Sequence, residues 1–218
     1  MGKLKEKRQY VFTVEGDTEK WYLDWLQNTI NNTDSALYTV VIKAYVEKDP
    51  MHFAKTTNNK VTPSLTHICD IESNNSEHIN AFHNTLKTLK AIKTKKKIKC
   101  HIGYSNYTFE LWMVLHKINC NGCLIDRSKY LPFINEAFGE NYRRLNDYKV
   151  KQNFNRCLAK LSLDDVKKAI NNAELIEKNN VEQMKKKESI YGYSYYIDNP
   201  SLTIWQSIKQ ILSECKLL

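Results

Sequence analysis

Between residues 9 and 118 the sequence alternates short β-branched and aromatic runs with segments of helical apolar spacing. That alternation restricts the chain to an α/β unit with a mostly parallel sheet flanked by helices. Gln9–Val14 reads as a buried strand ending at Glu15-Gly16, and Asp17 or Thr18 stands where a helix cap is wanted. The helix that follows has Trp21, Tyr22, Trp25 and Leu26 on its apolar side. Tyr38–Val46 and Leu65–Cys69 read as the second and third strands, the latter ending at Asp70. After the loop Asn74–Ser76, a helix carries Ile79, Phe82, Leu86 and Leu89 on one face and ends in the basic run Lys93–Lys97. Ile98–Gly103 reads as a fourth strand, and Tyr107–His116 has helical spacing.

Beyond about residue 119 the strand signal fades, and 129–138, 151–160, 163–178 and 201–216 read as helices. The expectation is a Rossmann-like core over 1–118 with a helical extension over 119–218 packed on it. With 42% hydrophobic and 26% charged residues the chain is globular rather than disordered. No apolar run approaches the ~20 residues needed to span a bilayer. The basic start lacks the apolar region of a signal peptide. Together with six scattered cysteines, expected to be free thiols, this predicts a cytoplasmic protein with no membrane partner. The net charge of +9 favours a polyanionic partner, RNA or DNA.

Ligand sites in parallel sheets lie beyond the carboxyl ends of the strands, which is where Glu15 and Asp70 fall. Asp70-Ile71-Glu72 adds a second acid two residues on, and in extended backbone both carboxylates face the same way. Carboxylate oxygens suit Mg²⁺ or Mn²⁺, and such an ion can polarise a phosphodiester and activate water. Each acid taken alone reads as readily as a loop residue or a helix cap; in this order on one α/β frame they point to a metal site.

Val14-Glu15-Gly16-Asp17-Thr18-Glu19-Lys20-Trp21-Tyr22-Leu23 resembles the first motif of TOPRIM domains, and Asp70-Ile71-Glu72 resembles their Asp-x-Asp motif. Ser105-Asn106-Tyr107-Thr108-Phe109-Glu110-Leu111-Trp112, with His116 beyond it, resembles the Ser-Asn-Pro-x-Phe-Glu-Leu-Trp signature of RloB-like proteins. Tyr148-Lys149, Ala169–Ala173 and Asn199-Pro200-Ser201 are similar to that family's later landmarks. The resemblance implies a TOPRIM-like fold and a Mg²⁺-dependent endonuclease of phage defence that hydrolyses RNA, possibly tRNA, or DNA. Glu15, Asp70 and Glu72 would be the catalytic metal ligands, with Glu19 close enough to join them. Such proteins are often encoded beside an ATPase, so a neighbouring ATPase is an expected partner. The alternative is a non-catalytic TOPRIM module serving an ATPase-containing defence complex. Tyr107 stands where the signature has Pro, and Glu72 where the motif has Asp, which lengthens that ligand by a methylene.

Other candidates keep two readings. Ser105, Asn106 and Glu110 either position substrate or cap and charge a helix start; Lys149 joins them through the resemblance alone. His116 is expected to pack rather than catalyse. His116, Cys120 and Cys123, with Cys157 or Cys100, have partial zinc spacing. Lys95, Lys96 and Lys97, flanked by Lys93 and Lys99, form either a solvated helix end or a phosphate-binding patch, as do Lys185–Lys187. Tyr191, Tyr193, Tyr195 and Tyr196 either stack bases or belong to a half-buried strand.

Overall fold

The computed structural model describes residues 5–120 and 127–218. A five-stranded sheet runs in the order β2-β1-β3-β4-β7, formed by Lys7–Val14 (β1), Thr39–Val46 (β2), Ser64–Ile71 (β3), Lys99–Asn106 (β4) and Ser201–Leu202 (β7). The first four are mutually parallel, and β7 runs antiparallel to β4. This is the mixed α/β, Rossmann-like arrangement that the alternating pattern predicts.

Both sheet faces are covered, which is why the strands read as nearly continuous apolar runs. On one face Phe12, Val14 and Ile68 join the main core with α1 (Asp17–Asn31), α4 (Glu110–Leu115), α8 (Leu163–Glu182) and α9 (Ile204–Glu214). On the other, Val11, Leu65 and Cys100 pack on Ala54 of α2 (Pro50–Thr56) and on Leu89 and Ile92 of α3 (Ser76–Lys96). Cys69, Ile71 and Tyr104 meet Phe82 and Leu86 of α3 further along. α5 (Tyr130–Phe138), α6 (Leu145–Tyr148) and α7 (Lys151–Leu158) complete the main core's outer wall. Among the described residues no helix is long and apolar enough to cross a membrane.

Four local expectations are corrected. The N-cap of α1 is Gly16, not Asp17 or Thr18, and no side chain caps it. Thr18 instead donates its hydroxyl to Glu19 Oε2 at 3.0 Å. The third strand continues through Asp70 to Ile71, two residues past Cys69. The segment 201–216 is not helical throughout, because Ser201 and Leu202 pair with Asn106 and Ser105. Thr203 holds that turn to the β4 edge: its N–H donates to Tyr104 O at 2.9 Å and its hydroxyl donates to Ile102 O at 3.0 Å, and α9 starts only afterwards. Within the region read as helical, Lys187–Ile190 (β5) and Tyr193–Tyr196 (β6) form an antiparallel hairpin. Of the two readings of its tyrosines the strand one holds for Tyr195 and Tyr196, which are buried and unavailable to stack on bases.

Gly103 of β4 lies where α9 crosses the sheet. A Cβ there would stand 3.3 Å from Ile204 Cα and 3.4 Å from Ile68 Cγ1. Gly103→Val forces the helix off the strand, and the expected loss is about 1–3 kcal/mol, the usual cost of overpacking a tight core, read from urea denaturation midpoints.

Candidate active site

The carboxyl ends of β1 and β3 deliver the acids to one place. Glu15 follows the last residue of β1, Asp70 is the penultimate residue of β3, and Glu72 is the first beyond it. Although 55 positions separate them, the Asp70 N–H donates to Glu15 Oε2 at 3.1 Å. Gly16 then turns the chain into α1. A Cβ at Gly16 would meet Glu19 Oε2 at 3.1 Å, so the missing side chain leaves room for the Glu19 carboxylate to fold back over the helix start.

Glu15, Glu19, Asp70 and Glu72 line a cavity of about 310 Å³. Its cationic wall is Lys48, Arg127 and Lys149. A smaller recess of about 170 Å³ extends from Glu15, Asp70 and Glu72 to His78 and Phe82 of α3. Glu72 is held at the rim, 3.5 Å from His78 Nε2 and 3.7 Å from Arg127 Nη1.

Behind the cavity Glu110 is fully buried at the start of α4. Its Oε2 accepts from the Thr108 hydroxyl, and Lys149 Nζ lies 3.0 Å from its Oε1. Aromatic packing fixes α1 against α4: the Tyr22 ring is 5.9 Å from Phe109 and 6.1 Å from Trp112. Glu19 and Glu110 are therefore carried on two elements that cannot easily separate.

This crowding of acids has a titration signature. Burial, then Glu19, Glu110 and Glu15, push the Asp70 carboxyl well above the usual carboxylate range, with Lys149 opposing. Burial raises Glu19 as well, Glu110 adding to it and Thr18 and Lys149 opposing. Glu15 is raised by burial, with the Asp70 N–H and Lys48 opposing and Glu19 and Glu72 adding to it. Ser105 Oγ, Asn106 Oδ1 and Tyr148 Oη are buried without a hydrogen-bond partner. Ser105 is the register partner of Asp70 on the adjacent strand.

The structure sorts the remaining candidates. Neither Ser105 nor Asn106 caps α4, whose N-cap is Phe109. The Asn106 amide donates to Tyr196 O at 2.8 Å and Ile197 O at 3.1 Å, anchoring the chain after the hairpin. His116 is a packed core residue with both ring nitrogens engaged, Nδ1 with Trp112 O at 2.9 Å and Nε2 with Tyr22 Oη at 3.1 Å. Burial lowers its pKa to about 4, so it is neutral. Neither nitrogen is free for zinc, and Cys123 lies outside the described residues. Lys95, Lys96 and Lys97 sit at the end of α3, where β4 begins. They are at the opposite edge of the sheet, roughly 25 Å from the acids by the length of an eight-residue strand. They do not line this cavity. Lys48 and Arg127 do, and His78 lines the smaller recess beside it; the sequence reading passed over all three. Lys48 was findable, since it stands two residues past the end of β2 at the same sheet edge.

Among the described residues no three His, Cys, Asp or Glu side chains are arranged to hold a metal ion as they stand. Glu15 is engaged with the Asp70 N–H, and Glu72 is turned to His78 and Arg127. The donor set nevertheless fits a hard divalent cation. It is all carboxylate, it faces one cavity, and its mutual repulsion is what such an ion relieves.

A family model described as RloB-like protein matches residues 10–211. No curated protein and no solved structure matches the chain.

Two outcomes follow from the electrostatics. Asp70 binds its proton more tightly folded than unfolded, so wild-type stability falls as pH rises from the ordinary carboxylate range through the raised folded pKa. In EDTA, urea denaturation should find Asp70→Asn gaining on wild type as pH rises from 4 to 8; a difference that does not change with pH contradicts the raised carboxyl. Lys149→Met strands the Glu110 carboxylate and should cost on the order of 2–3 kcal/mol, less than for a fully buried pair because Lys149 keeps some solvent. Adding Glu110→Gln should recover most of that loss.

Proposed function

The chain belongs to the RloB-like family, and from that membership together with the shared acidic cavity we propose that it is a metal-dependent endonuclease. Its substrate in this reading is RNA, possibly tRNA, or DNA, and its role is that of a cytoplasmic antiviral effector acting by abortive infection, with an ATPase as neighbour. The observation that carries the reading is the contact between Glu15 and Asp70 at the carboxyl edge of the sheet.

Glu15, Asp70 and Glu72 would hold Mg²⁺ or Mn²⁺, with Glu19 as a further donor. A bound cation of this kind supplies Lewis-acid polarisation of a phosphodiester and makes water a better nucleophile at neutral pH. Lys48 and Arg127 at the cavity rim would orient phosphates by charge. Lys149 holds Glu110 in place and offsets part of the negative charge felt by Asp70 and Glu19. Because Glu15, Glu19 and Asp70 hold protons more tightly than usual, cation binding must displace protons, and affinity should rise with pH.

One observation favours a second reading, a non-catalytic nucleic-acid-binding or regulatory module of an ATPase-containing complex: the ligands are not arranged for a metal in advance. The two readings separate in one assay. A mixed panel of RNA, tRNA and DNA incubated with Mn²⁺ or Mg²⁺, with and without a co-expressed neighbouring ATPase, should be cleaved. Glu15→Gln and Asp70→Asn should each slow cleavage by on the order of 100-fold or more, and EDTA should abolish it. Cleavage that survives both substitutions rejects the nuclease site. Nucleic-acid binding with no turnover under any of these conditions selects the module.

A further inference from the structure

The amino-terminal edge of the sheet, opposite the acids, carries a cleft in two chambers. β7 covers only Ser105 and Asn106 of β4, so the upstream edge of β4 is left open between the hairpin turn and α9. The first chamber, about 450 Å³, follows that edge. Lys90, Lys93 and Lys99 line it and are exposed, and none of the three forms an ion pair among the described residues. A fourth lysine, Lys187, is neutralised by Glu177 at 2.8 Å.

The second chamber, about 470 Å³, lies on β1 and β3 beside α9. Tyr10, Pro63 and Ile211 supply ring and apolar surface there, and Gln9 and Ser64 supply hydrogen-bonding groups. Its two charges, Arg8 and Glu214, oppose each other. Glu214 also accepts from Tyr10 Oη at 2.6 Å. His101, Ser207 and Gln210 line both chambers, so the two meet at a shared waist. Burial, Lys99 and Lys93 all lower the His101 pKa, which reports the positive bias of the first chamber and leaves a neutral imidazole at the waist.

We propose that this cleft binds a nucleotide, with its phosphates on Lys90, Lys93 and Lys99 and its base in the chamber of Tyr10 and Gln9. A lone anion would use only the lysine half, and an apolar ligand only the other. A nucleotide is anionic at one end and a flat heterocycle rimmed with donors and acceptors at the other, and each chamber is of ligand size. The same chemistry is offered by a free nucleotide and by the 5′-phosphorylated end of a strand. Lys99 stands at the start of β4, most of an eight-residue strand from the level of Asp70, and neither Glu15, Glu19, Asp70 nor Glu72 lines either chamber, so the cleft is separate from the acidic cavity.

The test is calorimetric titration of the full chain in EDTA with ATP, GTP, a 5′-phosphorylated hexathymidylate, adenosine and inorganic tripolyphosphate. Saturable binding of a nucleotide or of the hexamer is expected, at least tenfold tighter than that of adenosine or tripolyphosphate. The tighter of the free nucleotides and the hexamer identifies the source. Lys93→Ala/Lys99→Ala should weaken binding at least tenfold, both positions being exposed and uninvolved in packing. Ser207→Trp, which fills the waist, should abolish the advantage of ATP over tripolyphosphate. Glu15→Gln should leave binding unchanged within twofold. Absence of saturable binding, tripolyphosphate binding as tightly as ATP, or binding indifferent to the paired lysine substitution overturns the proposal.

Discussion

Three register pairs between β1 and β3 decide where the acids can be: Phe12 beside Thr66, Thr13 beside His67, and Val14 beside Ile68. β1 ends at Val14 beside Ile68 while β3 runs on to Ile71, so Glu15 leaves its strand alongside Cys69 and within reach of the Asp70 N–H. A slip of one residue would turn every side chain of one strand to the other face. Here that would drive Phe12 and Val14 out of the main core, and the burial of those two residues is what forbids it. The acidic cavity is thus a consequence of apolar packing several residues away.

The same packing gives the cavity its electrical character. Glu19 and Glu110 are brought to Asp70 by two helices that Tyr22, Phe109 and Trp112 lock together, and neither acid can retreat into solvent. Coulombic repulsion that a surface would dissipate is retained, opposed by Lys149 at Asp70 and Glu19 and by Lys48 at Glu15. Charge stored like this is costly to the fold and useful to a site whose occupant is positive.

How much of this was legible in the sequence depended on the range of the interaction. Strands β1 to β4 announce themselves by β-branched and aromatic runs, because burial on both faces demands apolar residues at successive positions. Glu15 and Asp70 were placed by the rule that ligand sites lie beyond the carboxyl ends of parallel strands, and Glu72 by its spacing from Asp70. Of the hairpin only the tyrosine strand was legible, as one of two readings, since its first strand opens with Lys187 and Glu188 and the pair buries Tyr195 and Tyr196 alone, too short a run to show a period. β7 escaped because two residues carry no periodicity at all, and its position depends on Thr203, about a hundred residues from the carbonyl it bonds. The Lys95–Lys97 run shows the reverse failing: its charge is plain in the sequence, while its distance from the acids depends on the strand that separates them.

The bonds at the β4 edge also bear on the order in which a newly made chain acquires its working parts. Asn106, the position after Ser105, donates its amide N–H groups to carbonyls of Tyr196 and Ile197, and the Tyr104 hydroxyl meets Ser201 at 2.6 Å. A ribosome that has synthesised the last acid lining the cavity, Glu72, still has to add more than a hundred residues before those partners exist. During that interval the strand next to Asp70 lacks its outer neighbour. That delay defers completion of the sheet beside the acidic cavity until synthesis is nearly finished.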